Sequence, residues 1–243
     1  MKTLASVKKL ALGLALGGLF AWQAGATVAY NNPTTVNVGN IQTPSAWVLG
    51  NEFNVNSTIS VTAVGAFDYQ ANGFGGSDVQ VAIYQLSDGI WNQVAGTFHD
   101  FTGTAGSQSY YVGSSAFNTL STPVDLGVGT YAVVAANIGT SVNPDWNWNL
   151  GAGGPGTTFQ NTTTAISMTS PNFAFYQSGT SLGPTLSGVS YGAWGAPNPT
   201  FGAGTFDFNF TPVPEAAGFA LAGVALLGLV YVGRAYSQKL KVA

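Results

Sequence analysis

Hydrophobic positions repeat with a period of two through most of residues 27–211, and both ends of the chain break that rhythm. In 58–67 the pattern places Ile59, Val61, Ala63 and Phe67 on one face, with Ser60 and Thr62 on the other. In 204–210, Phe206, Phe208 and Phe210 alternate with Thr205, Asp207 and Asn209. Residues 78–86 and 90–94 read as two strands joined at Ser87-Asp88-Gly89, since Asp-Gly takes positive φ readily in a tight turn. Further strands are expected at 47–55, 109–112, 130–138, 164–168 and 172–176. Strands of this length between Gly-, Ser-, Asn- and Pro-rich turns predict an all-β domain, an antiparallel β-sandwich. No amphipathic helix and no long internal repeat is read between 27 and 211.

The ends carry a different signal. Lys2, Lys8 and Lys9 precede an apolar run over 10–22, and Ala24-Gly25-Ala26 supplies small residues at a cleavage position. This is the make-up of a secretory signal peptide spanning 1–26, with Thr27 as the mature N-terminus after cleavage behind Ala26. Near the other end, 216–232 is an uncharged run of Ala, Leu, Val, Gly and Phe, with Tyr231 at its end and Arg234 just beyond. It predicts a single transmembrane helix whose basic end stays in the cytoplasm. The chain is therefore read as a signal peptide (1–26), an exported domain (27–211) and a sorting segment (212–243).

Val213-Pro214-Glu215, the Ala- and Leu-rich span after it and the short tail containing Arg234 resemble the PEP-CTERM sorting signal. That resemblance implies handling by an exosortase-like processing enzyme in a Gram-negative bacterium that makes extracellular polysaccharide. Ala216 stands where the family has a proline. Inside the domain, Leu49-Gly50-Asn51-Glu52-Phe53, residues 61–68, Val81-Ala82-Ile83-Tyr84 and Gly129-Thr130-Tyr131 with Ala135-Ala136 resemble an uncharacterised exported β-domain that often precedes such tails. This second resemblance implies a jelly-roll-like sandwich and no established activity.

Charge narrows the chemistry. All six Lys and Arg residues lie in the two ends, so 27–213 has no cation besides His99. It does have eight carboxylates: Glu52, Asp68, Asp78, Asp88, Asp100, Asp125, Asp145 and Asp207. A domain without Lys or Arg has nothing to neutralise phosphates, which argues against nucleic acid and nucleotides. With no cysteine, disulfides and thiolate chemistry are excluded as well.

Gly179-Thr180-Ser181-Leu182-Gly183 and Gly188-Val189-Ser190-Tyr191-Gly192 match the nucleophile-elbow pattern, but the single histidine lies upstream and no helix follows either serine. Gly151-Ala152-Gly153-Gly154-Pro155-Gly156 matches a dinucleotide fingerprint by letter and reads as a loop, because no helix follows it. His99 beside Asp100 reads as a half-buried or surface residue at a strand end, since one histidine does not make a zinc site.

Two clusters keep a functional reading. Asp68, Asn72 and Gly73, followed by Asp78, resemble the first half of a calcium loop, so no cofactor is required but a structural calcium is considered; the alternative is an acidic turn capped by its own side chains. Trp146 and Trp148 alternate with Asn143, Asp145, Asn147 and Asn149, either as core indoles or as a platform for stacking a sugar.

The expected function is that of a non-enzymatic cell-envelope or extracellular-matrix protein. It is exported, anchored at least transiently by its C-terminal helix, and met by the export machinery and signal peptidase. A carbohydrate-binding module of the same matrix is the alternative, and a glycoside hydrolase ranks third, because no spacing singles out a carboxylate pair. The absence of edge-guarding lysines adds self-association as a further expectation.

Overall fold

The Asp88-Gly89 turn forms as its residue types dictate: both residues have positive φ, at 52° and 77°. They join two antiparallel strands in the register Ser87↔Ile90. The computed structural model describes residues 26–31, 47–68, 71, 73–104, 106–138, 148–149, 158–159, 163–168, 174–179, 181–187, 189–191 and 201–210. All of them belong to one unit, Met1–Phe210.

In chain order the strands are β1 (Thr27–Val28), β2 (Tyr30–Asn31), β3 (Trp47–Val55), β4 (Ile59–Phe67), β5 (Gly73–Ser87), β6 (Ile90–Gln93), β7 (His99–Thr104), β8 (Tyr110–Val112) and β9 (Ser115–Leu126). They continue as β10 (Gly129–Ile138), β11 (Trp148–Asn149), β12 (Thr158–Phe159), β13 (Ile166–Met168), β14 (Ala174–Ser178), β15 (Thr185–Leu186), β16 (Val189–Tyr191), β17 (Phe201–Gly202) and β18 (Gly204–Asn209). No α-helix occurs among the described residues, and the fold class is all-β.

Two antiparallel sheets dominate. A five-stranded sheet has the order β1-β18-β4-β9-β8, and a nine-stranded sheet has the path β15-β6-β5-β10-β3-β14-β16 with β13 on β3 and β7 on β5. Their facing sides share one core: Val61, Val64, Phe206 and Phe208 from the smaller sheet meet Phe53, Val81, Ile83 and Val133 from the larger. The Phe53 and Phe206 rings lie 4.9 Å apart across the sheets. The alternation expected for 204–210 is present, with Phe206, Phe208 and Phe210 all in the core.

The face assigned to 58–67 holds only halfway. The ladder slips between Val61 and Ala63 against both neighbours of β4. Thr62 is the extra residue facing β18, and its hydroxyl donates to the Asp207 carbonyl oxygen at 3.4 Å. A one-residue slip exchanges the two faces. Ile59 and Val61 therefore enter the core before it, and Val64 and Ala66 after it. Ala63 and Phe67 are buried outside that core cluster, which corrects their expected placement.

β6 and β7 line the same edge of β5, at 84–87 and 79–81 respectively. Thr97, between them, closes the gap: its hydroxyl accepts the Ile83 N–H at 3.0 Å and lies 2.8 Å from the Val94 carbonyl oxygen as donor. The edges are short or blunted, as a lysine-free sheet requires. β1 has two residues and β8 three, and beyond Phe117 no described strand pairs with the β8 side of β9. That open stretch contains the exposed Pro123 and the four residues 120–123 that fall out of register with β4.

Candidate functional site

β8 carries two tyrosines in succession, and successive side chains of a strand point to opposite faces. Each hydroxyl reaches a buried aspartate far away in the chain. Tyr110 donates to Asp207 Oδ2 at 2.8 Å, and Tyr111 donates towards Asp68 Oδ2 at 3.0 Å. In a domain without Lys or Arg, these phenols do what a cation does elsewhere.

The Tyr110 pair lies on the outer face of the five-stranded sheet. Phe117, the cross-strand partner of Tyr110, stacks on it with centroids 5.0 Å apart and ring planes 5° apart. The Phe117 ring in turn covers Gly65, where a Cβ would stand 2.9 Å from Cε1. A side chain at Gly65 would lift this stack, so the glycine lets the phenol lie flat and extend towards β18. Asp207 is 7% exposed, and its Oδ1 has no hydrogen-bond partner among the described residues. Burial pushes its carboxyl above the usual 3.8, with the Tyr110 hydroxyl and the Phe208 amide acting the other way. Burial, and then the adjacent carboxylate, also raises the Tyr110 phenol. The pair is thus a carboxyl that holds its proton more tightly than in the unfolded chain, beside a phenol that stays a donor.

This arrangement fixes a pH dependence. Because the folded value for Asp207 is raised, the folded protein binds more protons than the unfolded chain in the window above 3.8. Its contribution to stability is complete below that value and is lost as pH rises through the folded value. Asp207→Asn is expected to abolish that slope, so that the variant gains in melting temperature over the parent as pH rises towards neutrality. Subtracting the two melting curves at each pH cancels His99, whose value is lowered by burial and whose slope has the opposite sign. A constant difference between the curves from acid to neutral pH would contradict the assignment.

Asp68 directly follows β4 and is fully buried. Its two carboxylate oxygens accept the Gly73 N–H at 3.1 and 3.2 Å, and its carbonyl oxygen accepts the Ala71 N–H at 3.1 Å. The carboxylate therefore caps its own loop. Tyr111 lies 2.9 Å from Gln108 Oε1 as well, while the Gln108 amide nitrogen donates to Thr102 O at 3.0 Å and Ser107 Oγ at 2.8 Å. These two donations fix the Gln108 amide with its oxygen towards Tyr111.

Of the other residues considered for calcium, Asp78 is exposed on β5 and Asn72 lies outside the described residues. No group of three or more His, Cys, Asp and Glu residues gathers among the described residues.

No protein-family model, curated protein or solved structure matches the chain.

The remaining expected sites are placed as follows. Trp148 lies in β11, opposite Gly202 of β17, while its side chain and the whole of Trp146 lie outside the described residues. Ala26 is exposed immediately before β1, and Ala24 is outside the described residues, as are Val213, Pro214, Glu215 and Arg234. The loop 151–156 is outside them too. Ser190 lies within β16 opposite Phe175, and Ser181 lies exposed ahead of β15, so neither serine sits at a strand-to-helix elbow. His99 is the half-buried first residue of β7, with its ring edge-on to Phe101 at 5.1 Å.

The tyrosines, Gln108 and the Phe117–Gly65 stack were not identified from sequence. The one local signal is a Tyr-Tyr pair on a short strand of a domain that has buried acids and no cations. Chemically these phenols donate hydrogen bonds to the two carboxylates. Tyr84, whose hydroxyl donates to the Gly183 carbonyl oxygen at 2.6 Å, is likewise pushed up to about 12 by burial.

Proposed function

We propose that the chain is a non-enzymatic exported protein of the cell envelope or extracellular matrix. In this reading, 1–26 is a signal peptide, 216–232 is a membrane span, and 212–243 is a PEP-CTERM-like sorting tail read by an exosortase-like enzyme. The β-domain is the cargo. Its connectivity is read as jelly-roll-like, since the chain passes between the two sheets at β3–β4, β4–β5, β7–β8 and β9–β10.

One observation carries the proposal. β1 begins at Thr27, the residue after the expected cleavage position, and Ala26 is exposed. β1 pairs with β18, the last described strand before the tail, in the register Thr27↔Phe208. Among the described residues, the domain is thus bounded by strands close to the two points where the terminal segments would be removed. The buried acids fit a structural role as well, since Asp68 and Asp207 are both committed to hydrogen bonds within the domain.

Intact-mass measurement of the protein recovered outside the producing cells tests this reading. A mature N-terminus at Thr27 is expected, with the chain ending upstream of 216 if the tail is cut. A recovered protein that retains 1–26 would overturn it.

A further inference from the structure

The described domain leaves few large apolar side chains in water, and most of these share one end of the fold. Val128 is 71% exposed, Ile90 52% and Leu86 37%; Phe98 is the fourth such residue. Leu86 and Ile90 flank the β5–β6 turn, and Val128 is the tip of the β9–β10 turn, Leu126-Gly127-Val128-Gly129. The register brings the two turns together, because Tyr131 lies opposite Gln85 and Gly129 therefore falls beside the end of β5. A solvated turn favours polar residues, whereas this one presents valine as its most exposed side chain.

The same end is where the chain enters and leaves the domain. Leu126 lies opposite Ile59, Ser60 opposite Asn209, and Phe208 opposite Thr27. The start of β1, the finish of β18 and the Val128 turn are therefore level with one another. Five residues, 211–215, separate Phe210 from the apolar run at 216. Fully extended they reach about 18 Å.

We propose that this end of the domain rests on the surface of a lipid bilayer, with Val128, Ile90 and Leu86 entering the headgroup region. The inference rests on the reading of 216–232 as a membrane span. Charge selects the lipid. Asp88 and Asp125 are exposed near this end, and 27–213 offers no Lys or Arg to attract anionic headgroups. The surface that fits is zwitterionic, and apolar insertion supplies the contact.

The chain lacks cysteine, so single-cysteine variants of the full chain take one label each. Val128→Cys and Ile90→Cys report on the proposed contact. Asp78→Cys lies nine residues from Ser87 along β5, about 30 Å towards the opposite end, and serves as the distant control. Gly223→Cys reports on the span itself. Each variant carries an environment-sensitive nitrobenzoxadiazole label, is reconstituted into phosphatidylcholine vesicles, and is quenched with spin-labelled lipid.

The expected result is strong quenching at 223, quenching at 128 and 90 at least twofold above that at 78, and a decrease at 128 and 90 when a third of the lipid is made anionic. If 223 is quenched while 128 and 90 behave like 78, the surface contact is wrong and the span stands. If 223 is not quenched, the span reading fails and the contact fails with it. If 128 is shielded equally in detergent without vesicles, in proportion to protein concentration, a second copy covers this end and the lipid assignment is overturned.

Discussion

Phe206→Ala is expected to remove a large part of the stability of the β-domain. Phe206 is fully buried, 4.9 Å from Phe53 in the opposite sheet and 5.7 Å from Phe208 in its own strand, with Tyr30 edge-on at 6.5 Å. Truncating a buried phenylalanine costs about 3–5 kcal/mol through lost transfer energy and the cavity left behind. A domain of ordinary stability has roughly 5–15 kcal/mol in total. Phe206→Leu retains most of the volume and should cost about 1 kcal/mol. Urea unfolding followed by tryptophan fluorescence reads both variants. A loss below about 1 kcal/mol for the alanine variant would mean that the sheets do not share the core described above.

The second large effect is expected at Asp68. Alanine there removes the acceptor for the Gly73 N–H and for the Tyr111 hydroxyl in a fully buried position. The Gly73 N–H left without its acceptor costs about 1–3 kcal/mol, while the Tyr111 hydroxyl keeps Gln108 Oε1 at 2.9 Å, so a loss of about 2 kcal/mol is expected. Tyr111→Phe removes one donor and leaves the Gly73 cap in place; about 1 kcal/mol is expected. Asp68→Asn keeps an acceptor and should fall between the two. The same unfolding series in millimolar Ca²⁺ and in EDTA separates the two roles considered for this loop. Equal losses in both buffers identify Asp68 as a cap alone, and a larger loss in Ca²⁺ identifies it as a ligand too.

Where the fold was legible in the sequence, local chemistry and periodicity agreed. The Asp88-Gly89 turn and the triple alternation Phe206, Phe208, Phe210 each depend on residues a few positions apart, and both are present. β3 occupies the expected 47–55. β9 was not foreseen, because its burial does not alternate and Pro123 interrupts it. β7 was also missed; it is a short strand with Gly103 at positive φ. The face exchange at Thr62 comes from a ladder slip set by two partner strands, and a period read along one strand contains no trace of it.

The site was less legible than the fold for a related reason. Tyr110 and Asp207 are separated by 97 positions, and Tyr111 and Asp68 by 43. Asp207 was assigned from alternation to the polar side of its strand, which is correct as to face. That it is buried depends on what covers the face, and alternation does not encode it. The missing lysines, by contrast, pointed to a real structural demand: both buried aspartates had to be met by neutral donors, and both are.

The pairing of β1 with β18 has a topological consequence. With Thr27 beside Phe208, the two ends of the domain are neighbours, so a linker of a few residues can join them without stretching either strand. The joined chain can then be reopened between the exposed Asp88 and Gly89, where no ladder hydrogen bond would be lost. Such a circular permutant keeps every strand pair while moving both termini to the neighbouring turn, which makes the domain a scaffold into which another protein can be inserted.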